Sequence, residues 1–533
     1  MSMTTLPQTR NLIFICPDQL NPNGAALREA DAIKDVIVMG ESRSEATRFS
    51  FHIQRLSLIF SAMRHLAESL RNGGFRLDYH PVTKGDADAL GDILLQAVEL
   101  HRPQAIRMIR PNRYDLIEAF EQVSKVTTTP LEFLEDDHFL SSPDSFSSWA
   151  SGRKTLVMEH FYRKMRKDTG WLMEGNEPAG GTWNYDADNR GAFGKAGPGL
   201  VPDPLRFEPD EITRQTIRDI RESIPNLPGS SESFGWAVTP DQAQQVLDHF
   251  ISHLLPNFGL RQDAMWTDEP WLFHALLSPA MNLQLIDPRV AIEAAEAAWK
   301  RGDAPINAVE GFIRQILGWR EFIRGVYWLE GPEYGHRNAM HAEHPLPDFY
   351  WTAETDMQCV RQVVKQVLEH GYAHHIQRLM VTGLYALVAG TQPWAIHEWY
   401  MGLFVDSYDW VTLPNTIGMS QFADGGVVAT KPYIASGRYV DRMSNYCSGC
   451  RFQPSKATGD DACPVTTLYW SYLMEHEDLL AANRRMGFQV ANLRRKSPEE
   501  RAEILKQRDA WLAKTLNTSS GDSPPPCSKG PSN

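Results

Sequence analysis

Between residues 11 and 140 the chain alternates short apolar, β-branched runs with longer stretches in which apolar residues recur every three or four positions. The short runs, Leu12–Cys16, Asp35–Met39, Phe75–His80, Ala105–Ile109 and Leu131–Leu134, read as strands. Ile53–Arg71 and Ala87–Leu100 read as amphipathic helices between them. Strand–helix alternation at this spacing predicts an α/β domain over 1–140, with a parallel, Rossmann-like sheet covered on both faces. The turn after the first strand, Cys16-Pro-Asp-Gln-Leu-Asn-Pro, has no glycine-rich phosphate loop, so the dinucleotide fingerprint is missing. Residues 141–245 are broken by Gly and Pro around Gly175–Gly181 and Gly191–Pro204 and read as an interdomain connection. From 246 to 515 the period is helical throughout, which predicts an all-helical C-terminal domain. Residues 516–533, rich in Ser, Pro and Gly, read as a disordered tail.

The chain has 533 residues, 42% of them hydrophobic, enough for two or three domains with sizeable cores. No run is long and apolar enough for a membrane span, and the N-terminus lacks a signal-peptide core, so the expectation is a cytoplasmic protein. The formal charge of −13 argues weakly against a nucleic-acid partner, since phosphate binding rests on Lys and Arg. Net charge does not describe a patch, however. Arg153/Lys154, Arg163–Lys167 and Arg484/Arg485 with Arg494–Lys496 either line one binding face or are solvated helix faces.

In a chain without an export signal, clustered cysteines point to metal rather than disulfides. Cys447-Ser-Gly-Cys450 is followed by Cys463-Pro464, with Cys359 far upstream. Four thiolates suit an all-cysteine site, and the spacing leaves zinc and an iron–sulfur cube about equally open. Cys16, at a strand end, reads as a small core residue, and Cys527 lies in the tail.

Two further constellations change the picture. Tyr372-Ala-His374-His375-Ile-Gln-Arg378-Leu-Met380 puts His374 and Arg378 on one helical face with His375 beside them. Asp406-Ser-Tyr-Asp409-Trp-Val-Thr412-Leu-Pro-Asn415-Thr-Ile-Gly-Met-Ser-Gln-Phe-Ala-Asp424-Gly-Gly follows downstream. With these motifs the chain resembles the cryptochrome/photolyase superfamily. Ala275-Leu-Leu277-Ser278-Pro279 resembles its flavin-phosphate loop, and Glu310-Gly-Phe-Ile-Arg-Gln315-Ile-Leu-Gly-Trp319-Arg320-Glu321-Phe322 its helix under the flavin. His374-His375-x-x-Arg378 is similar to the His-His-x-x-Arg of (6-4) photolyases. The order of these motifs and the cysteine spacing resemble the prokaryotic iron–sulfur photolyases and cryptochromes over all but the tail.

That resemblance implies an N-terminal antenna domain, a helical FAD domain, a 4Fe-4S cluster on Cys359, Cys447, Cys450 and Cys463, and a 6,7-dimethyl-8-ribityllumazine antenna. It implies light-driven repair of (6-4) photoproducts in UV-damaged DNA by electron transfer from excited reduced FAD. His375 would be the general acid and His374 its orienting partner. FAD contacts would come from Leu277, Ser278, Glu310, Gln315, Trp319, Arg320, Arg378, Asp409 and Asn415, with Arg378 and Asp409 as an ion pair and Thr412 the alternative to Asn415 at the flavin N5. Trp399, Trp351 and Tyr400 would relay electrons, the alternative being plain packing. Tyr433 and Tyr439 would lie near the lesion, and Asp18, Gln19, Glu41 and Glu45, at the carboxyl ends of strands, would touch the antenna. The expected protein is a monomer. A cryptochrome-like blue-light photoreceptor would share fold and cofactors; a zinc-containing DNA-binding protein would explain the cysteines and basic clusters but not the flavin-like motifs.

Overall fold

The computed structural model describes residues 9–84 and 88–516, so Ala87 and Cys527, with all of the tail after Leu516, lie outside the described residues. The described chain forms two compact units.

The first unit gathers residues up to 140 together with 205–249 and 276–291. Its centre is a five-stranded sheet of β1 (Asn11–Phe14), β2 (Val36–Gly40), β3 (Leu77–His80), β4 (Ala105–Ile109) and β5 (Leu131–Leu134), in the order β3-β2-β1-β4-β5. All four pairings are parallel, with Leu12 opposite both Val36 and Ile106. All of β2 is buried, as a strand covered on both faces must be. On one face Leu12, Phe14, Val36, Val38, Ile106 and Met108 pack against Ile93, Leu94 and Ala97 of the helix Leu90–His101 and against Phe120. Gly40 permits this close approach, because a Cβ there would come 2.4 Å from Ile93. The helix Ile53–Asn72 lies one residue from its expected end. Gln54 on it binds the 205–249 segment: its Nε2 donates to Ser230 O at 2.8 Å, and its Oε1 accepts from Trp236 Nε1 at 2.9 Å.

The segment read as a connection is thus divided. Residues 205–245 pack into the first unit, and 141–204 into the second, which also holds 250–275 and the described residues from 292 to 516. The second unit is helical apart from a two-residue antiparallel pair, Met173–Glu174 with Glu177–Pro178. Four of its described helical stretches widen to π turns, at Phe250–Leu254, Arg314–Arg320, Arg378–Gly383 and Asn415–Ser420. Such turns tend to occur at functional sites, and the last three fall in motifs singled out in the helical region. No described helix is long and apolar enough to cross a membrane.

Candidate functional site

The helix Gln358–His370 stops at Gly371, whose φ of 63° turns the chain into Tyr372-Ala-His374, and a new helical turn opens at His375. His374 is buried at 2% exposure and stacks on His274, with ring centroids 4.4 Å apart and planes 15° apart. Neither ring nitrogen of His374 has a hydrogen-bond partner, nor does His274 Nε2. Burial, then His375 and Arg378, push His274 down to about 3; burial, then His274, His375 and Arg378, hold His374 well below the ordinary imidazole range. His375 keeps an exposed face while protein crowds around it. Desolvation, then Arg378, push it down to about 4. His375 here and Gln315 in Gly311–Arg320 are exposed side chains within otherwise buried segments.

Arg378 makes two parallel bonds to Asp406, 3.0 Å each, while its Nε donates to Ala373 O at 2.6 Å and its guanidinium lies 4.2 Å over the Phe404 ring. This corrects the expected Arg378–Asp409 pair. Asp409 opens the helix Asp409–Pro414, whereas Asp406 sits in the preceding loop, where its carboxylate reaches the guanidinium fork side-on. Asn415 donates to Val411 O at 2.8 Å, and Thr412 is buried. Gln315 donates to Gly311 O, Trp319 is half-buried, and Arg320 pairs with Glu321 at 2.9 Å while lying over Trp410. Glu310 is wholly buried. It accepts from Tyr185 N at 3.1 Å and faces Arg314 at 3.4 Å, which ties it to the protein interior. Leu277, buried, and Ser278, exposed, open the short helix Ser278–Asn282 in the first unit.

Trp399 is fully buried. Its Nε1 donates to Tyr350 O at 2.8 Å, and its ring lies 5.1 Å from Tyr350 and 5.2 Å from Tyr400. Tyr350 in turn lies 6.4 Å from Tyr385, whose hydroxyl accepts from Trp511 Nε1 at 3.0 Å. Trp351 is half-buried, and no described ring packs on its indole. Tyr400 donates to Arg378 O at 2.8 Å. Tyr433 and Tyr439 share a neighbourhood with Arg190, and burial raises both phenols. Asp263 is raised to about 6 there by desolvation, then by Asp186. Part of the basic clusters is paired or buried: Arg166 is buried, Arg163 and Lys164 pair with Glu159 and Asp168, and Arg494 pairs with Glu477.

Cys359, Cys447, Cys450 and Cys463, none in a disulfide, line one hollow with about 350 Å³ of atom-free space. Cys359 is near the start of the helix Gln358–His370, and Cys463 precedes Pro464 at the start of Pro464–Glu475. Burial, then the neighbouring sulfurs, push the Cys359 thiol up, and Cys447 rises to about 12. Gly437 is small by necessity, since a Cβ there would lie 2.8 Å from the Cys463 sulfur. Among the described residues no three His, Cys, Asp or Glu side chains are grouped tightly enough to hold a single metal ion.

In the first unit, Asp18, Glu45, Arg113 and Asp136 all act on buried Cys16 at the carboxyl edge of the sheet. Gln19 is buried, its Nε2 donating to Arg110 O while its Oε1 is unsatisfied. Glu45 pairs with Arg113. Glu41 does not fit the expected antenna role. It accepts two bonds from Arg64 and one each from Tyr79 and Val82 N, which fill the lone pairs of its carboxylate. Periodicity gave no sign of Asp136, which accepts from Asn112 and Gln284. It gave none of His274 or the Tyr350–Tyr385–Trp511 series either, because their partners are distant in sequence.

A family model described as "Deoxyribodipyrimidine photo-lyase-related protein" matches residues 13–236. A (6-4) photolyase of Agrobacterium fabrum (strain C58 / ATCC 33970) is 44% identical over 507 residues, spanning 94% of this chain and 99% of that protein. Two solved structures share the fold: a bacterial class III photolyase from Agrobacterium tumefaciens (TM-score 0.54, 16% identity, 96% and 93% of the two chains) and the Synechocystis sp. PCC6803 cryptochrome (TM-score 0.54, 14% identity, 96% and 100%). An identity of 44% sustained across nearly the whole of both chains places this chain in the photolyase/cryptochrome family.

Proposed function

We propose that this chain is a cytoplasmic, light-driven (6-4) photolyase acting on UV-damaged DNA. The observation that carries the reading is His375, exposed beside the His374–His274 stack and the Arg378–Asp406 pair, and we take that exposed face as one wall of a ligand recess. It is supported by the 44% identity to a (6-4) photolyase. FAD suits the recess: the unsatisfied nitrogens of His374, the side-chain carbonyl of Asn415 and the outward Gln315 are polar groups awaiting a polar ligand. Bound there, FAD supplies light absorption and the transferable electron.

The residues supply the rest. The lesion reaches the recess by leaving the base stack, which costs least at a damaged, poorly paired site. His375 is neutral at pH 7 in the free protein, because its proton affinity is set by burial and by Arg378. DNA phosphates bring negative potential, which raises an imidazole's proton affinity, so His375 gains its proton as substrate arrives. It then hands that proton to the lesion. His374 sets the direction of the turn that carries it, and Arg378 stays paired with Asp406 in the low-dielectric wall. Trp399, with Tyr400 and Trp351, passes electrons inward, and Tyr433 and Tyr439 meet the lesion. A lumazine antenna takes the carboxyl edge of the first unit's sheet, at Asp18, Gln19 and Glu45.

Four cysteines around one hollow could hold either zinc or a cube, and we read them as ligands of a 4Fe-4S cluster because the motif order and cysteine spacing resemble the iron–sulfur photolyases. The test is blue-light repair of a duplex carrying one (6-4) photoproduct, with elemental analysis of the same preparation. Restored bases and iron are the expected result. Light absorption without repair of any lesion would leave a photoreceptor, and zinc without iron would overturn the cluster.

A further inference from the structure

Between the four-cysteine hollow and the histidine turn lies a small amide network that neither role explains. Gln366 sits two turns beyond Cys359 on the helix Gln358–His370. Its Nε2 lies within hydrogen-bond distance of Pro270 O (3.2 Å), Tyr372 O (3.1 Å) and Gln377 Oε1 (3.1 Å), its two N–H groups shared among the three acceptors. It thereby holds the two strands of chain that deliver the stacked histidines, since Pro270 leads to His274 and Tyr372 to His374. Gln377 completes the frame: its Oε1 accepts from the backbone N–H of His374 at 3.0 Å, and its Nε2 donates to Gln366 Oε1 at 2.9 Å. The same Nε2 donates to the hydroxyl of Tyr446 at 3.2 Å, and Tyr446 both precedes Cys447 and lines the cysteine hollow. Gln377 and Tyr446 are each 1% exposed. Buried amides and phenols must be bonded, and a closed set of such bonds fixes one geometry.

We infer that Gln366, Gln377 and Tyr446 are positioning residues through which an occupied four-cysteine site fixes the His374-His375 turn. This rests on the repair and cluster readings above. Two sides of the hollow, the helix of Cys359 and the turn of Cys447, each reach the amide pair by one side chain. Filling the hollow locks those two walls together, and the amide pair transmits their spacing to the histidines. Emptying it frees Tyr446 and Cys359 to move apart, and the His374 N–H loses its fixed acceptor.

The test uses the full-length holoprotein. Tyr446→Phe removes one phenolic oxygen and leaves all four cysteines. Iron and flavin contents are expected at wild-type levels, with kcat for (6-4) repair down about fivefold, the weight of one neutral hydrogen bond, and KM for lesion DNA unchanged. The imidazole NMR signals of His374 and His375 should shift, and chelator-stripped wild-type protein should shift them the same way. Gln366→Met, which removes the whole side-chain amide, should lower kcat further, and adding Tyr446→Phe to it should change little, because both act along one path. Should Gln366→Met fail to fold, Tyr446→Phe decides alone. Unmoved histidine signals in both Tyr446→Phe and the stripped protein overturn the inference. If the wild-type protein repairs no lesion, the repair reading fails by itself, and the histidine signals still decide the bridge.

Discussion

The Arg378–Asp406 pair gives the sharpest test of the site, because two carboxylates three residues apart compete for the guanidinium on sequence grounds. Asp406 presents both oxygens at 3.0 Å, its side chain 9% exposed against 24% for Arg378. Asp406→Ala would strand a guanidinium held by Ala373 O and enclosed by Phe404. Removing one partner of a buried pair costs about 3–5 kcal/mol, and the partial exposure of Arg378 places this case at the lower end, about 3 kcal/mol. In a protein of this size that lowers Tm by roughly 3 °C. The assay is thermal and urea unfolding of the single variants Arg378→Ala, Asp406→Ala and Asp409→Ala and of the two doubles containing Arg378→Ala. A cycle between 378 and 406 should give a coupling of about 2–3 kcal/mol, and one between 378 and 409 a value within about 0.5 kcal/mol of zero. A 378–409 coupling equal to or larger than the 378–406 coupling would refute the assignment.

Three further outcomes follow from the same geometry. His375→Ala should retain FAD and lose about 10²–10⁴-fold in (6-4) repair, as removal of a general acid does, with His374→Ala milder; near wild-type repair in His375→Ala would put the acid elsewhere. Because burial depresses His274 and His374, the unfolded chain takes up protons below about pH 6.5 that the folded chain refuses. Stability is therefore full above pH 6.5 and falls as pH drops from there, at about 1.4 kcal/mol per pH unit for each histidine; His274→Phe should make the pH 5–6.5 slope shallower by that amount, and an unchanged slope would count against it. Trp399→Phe should slow flavin photoreduction with FAD still bound, and an unaltered rate would return Trp399 to packing alone.

Hydrophobic period made the parallel sheet legible, since strands buried on both faces read as short apolar runs, and β4 and β5 fall on the residues those runs span. The four cysteines were legible because thiols are rare, and the single site expected for them agrees with the one hollow they line, which Cys359 reaches from another helix. The sequence could not say that residues 205–249 pack with the α/β unit, because this rests on contacts such as Gln54 with Trp236.

What the sequence by itself determined is therefore the set of elements and the residue types brought to the chemistry: the five strands, the histidine pair, the arginine and the cysteines. Which partner each group takes was left to the tertiary structure. Glu41 and Glu45 are both acids following the second strand, yet Arg64 and Tyr79 converge on the first and fill its carboxylate. Asp406 and Asp409 stand in one motif, yet only the loop position meets the guanidinium of Arg378. His274 became a site residue because a chain segment a hundred positions from His374 folds to within 4.4 Å of it. Hydrogen bonds and ion pairs act over about 3 Å, and separation along the chain does not encode distances on that scale between remote segments.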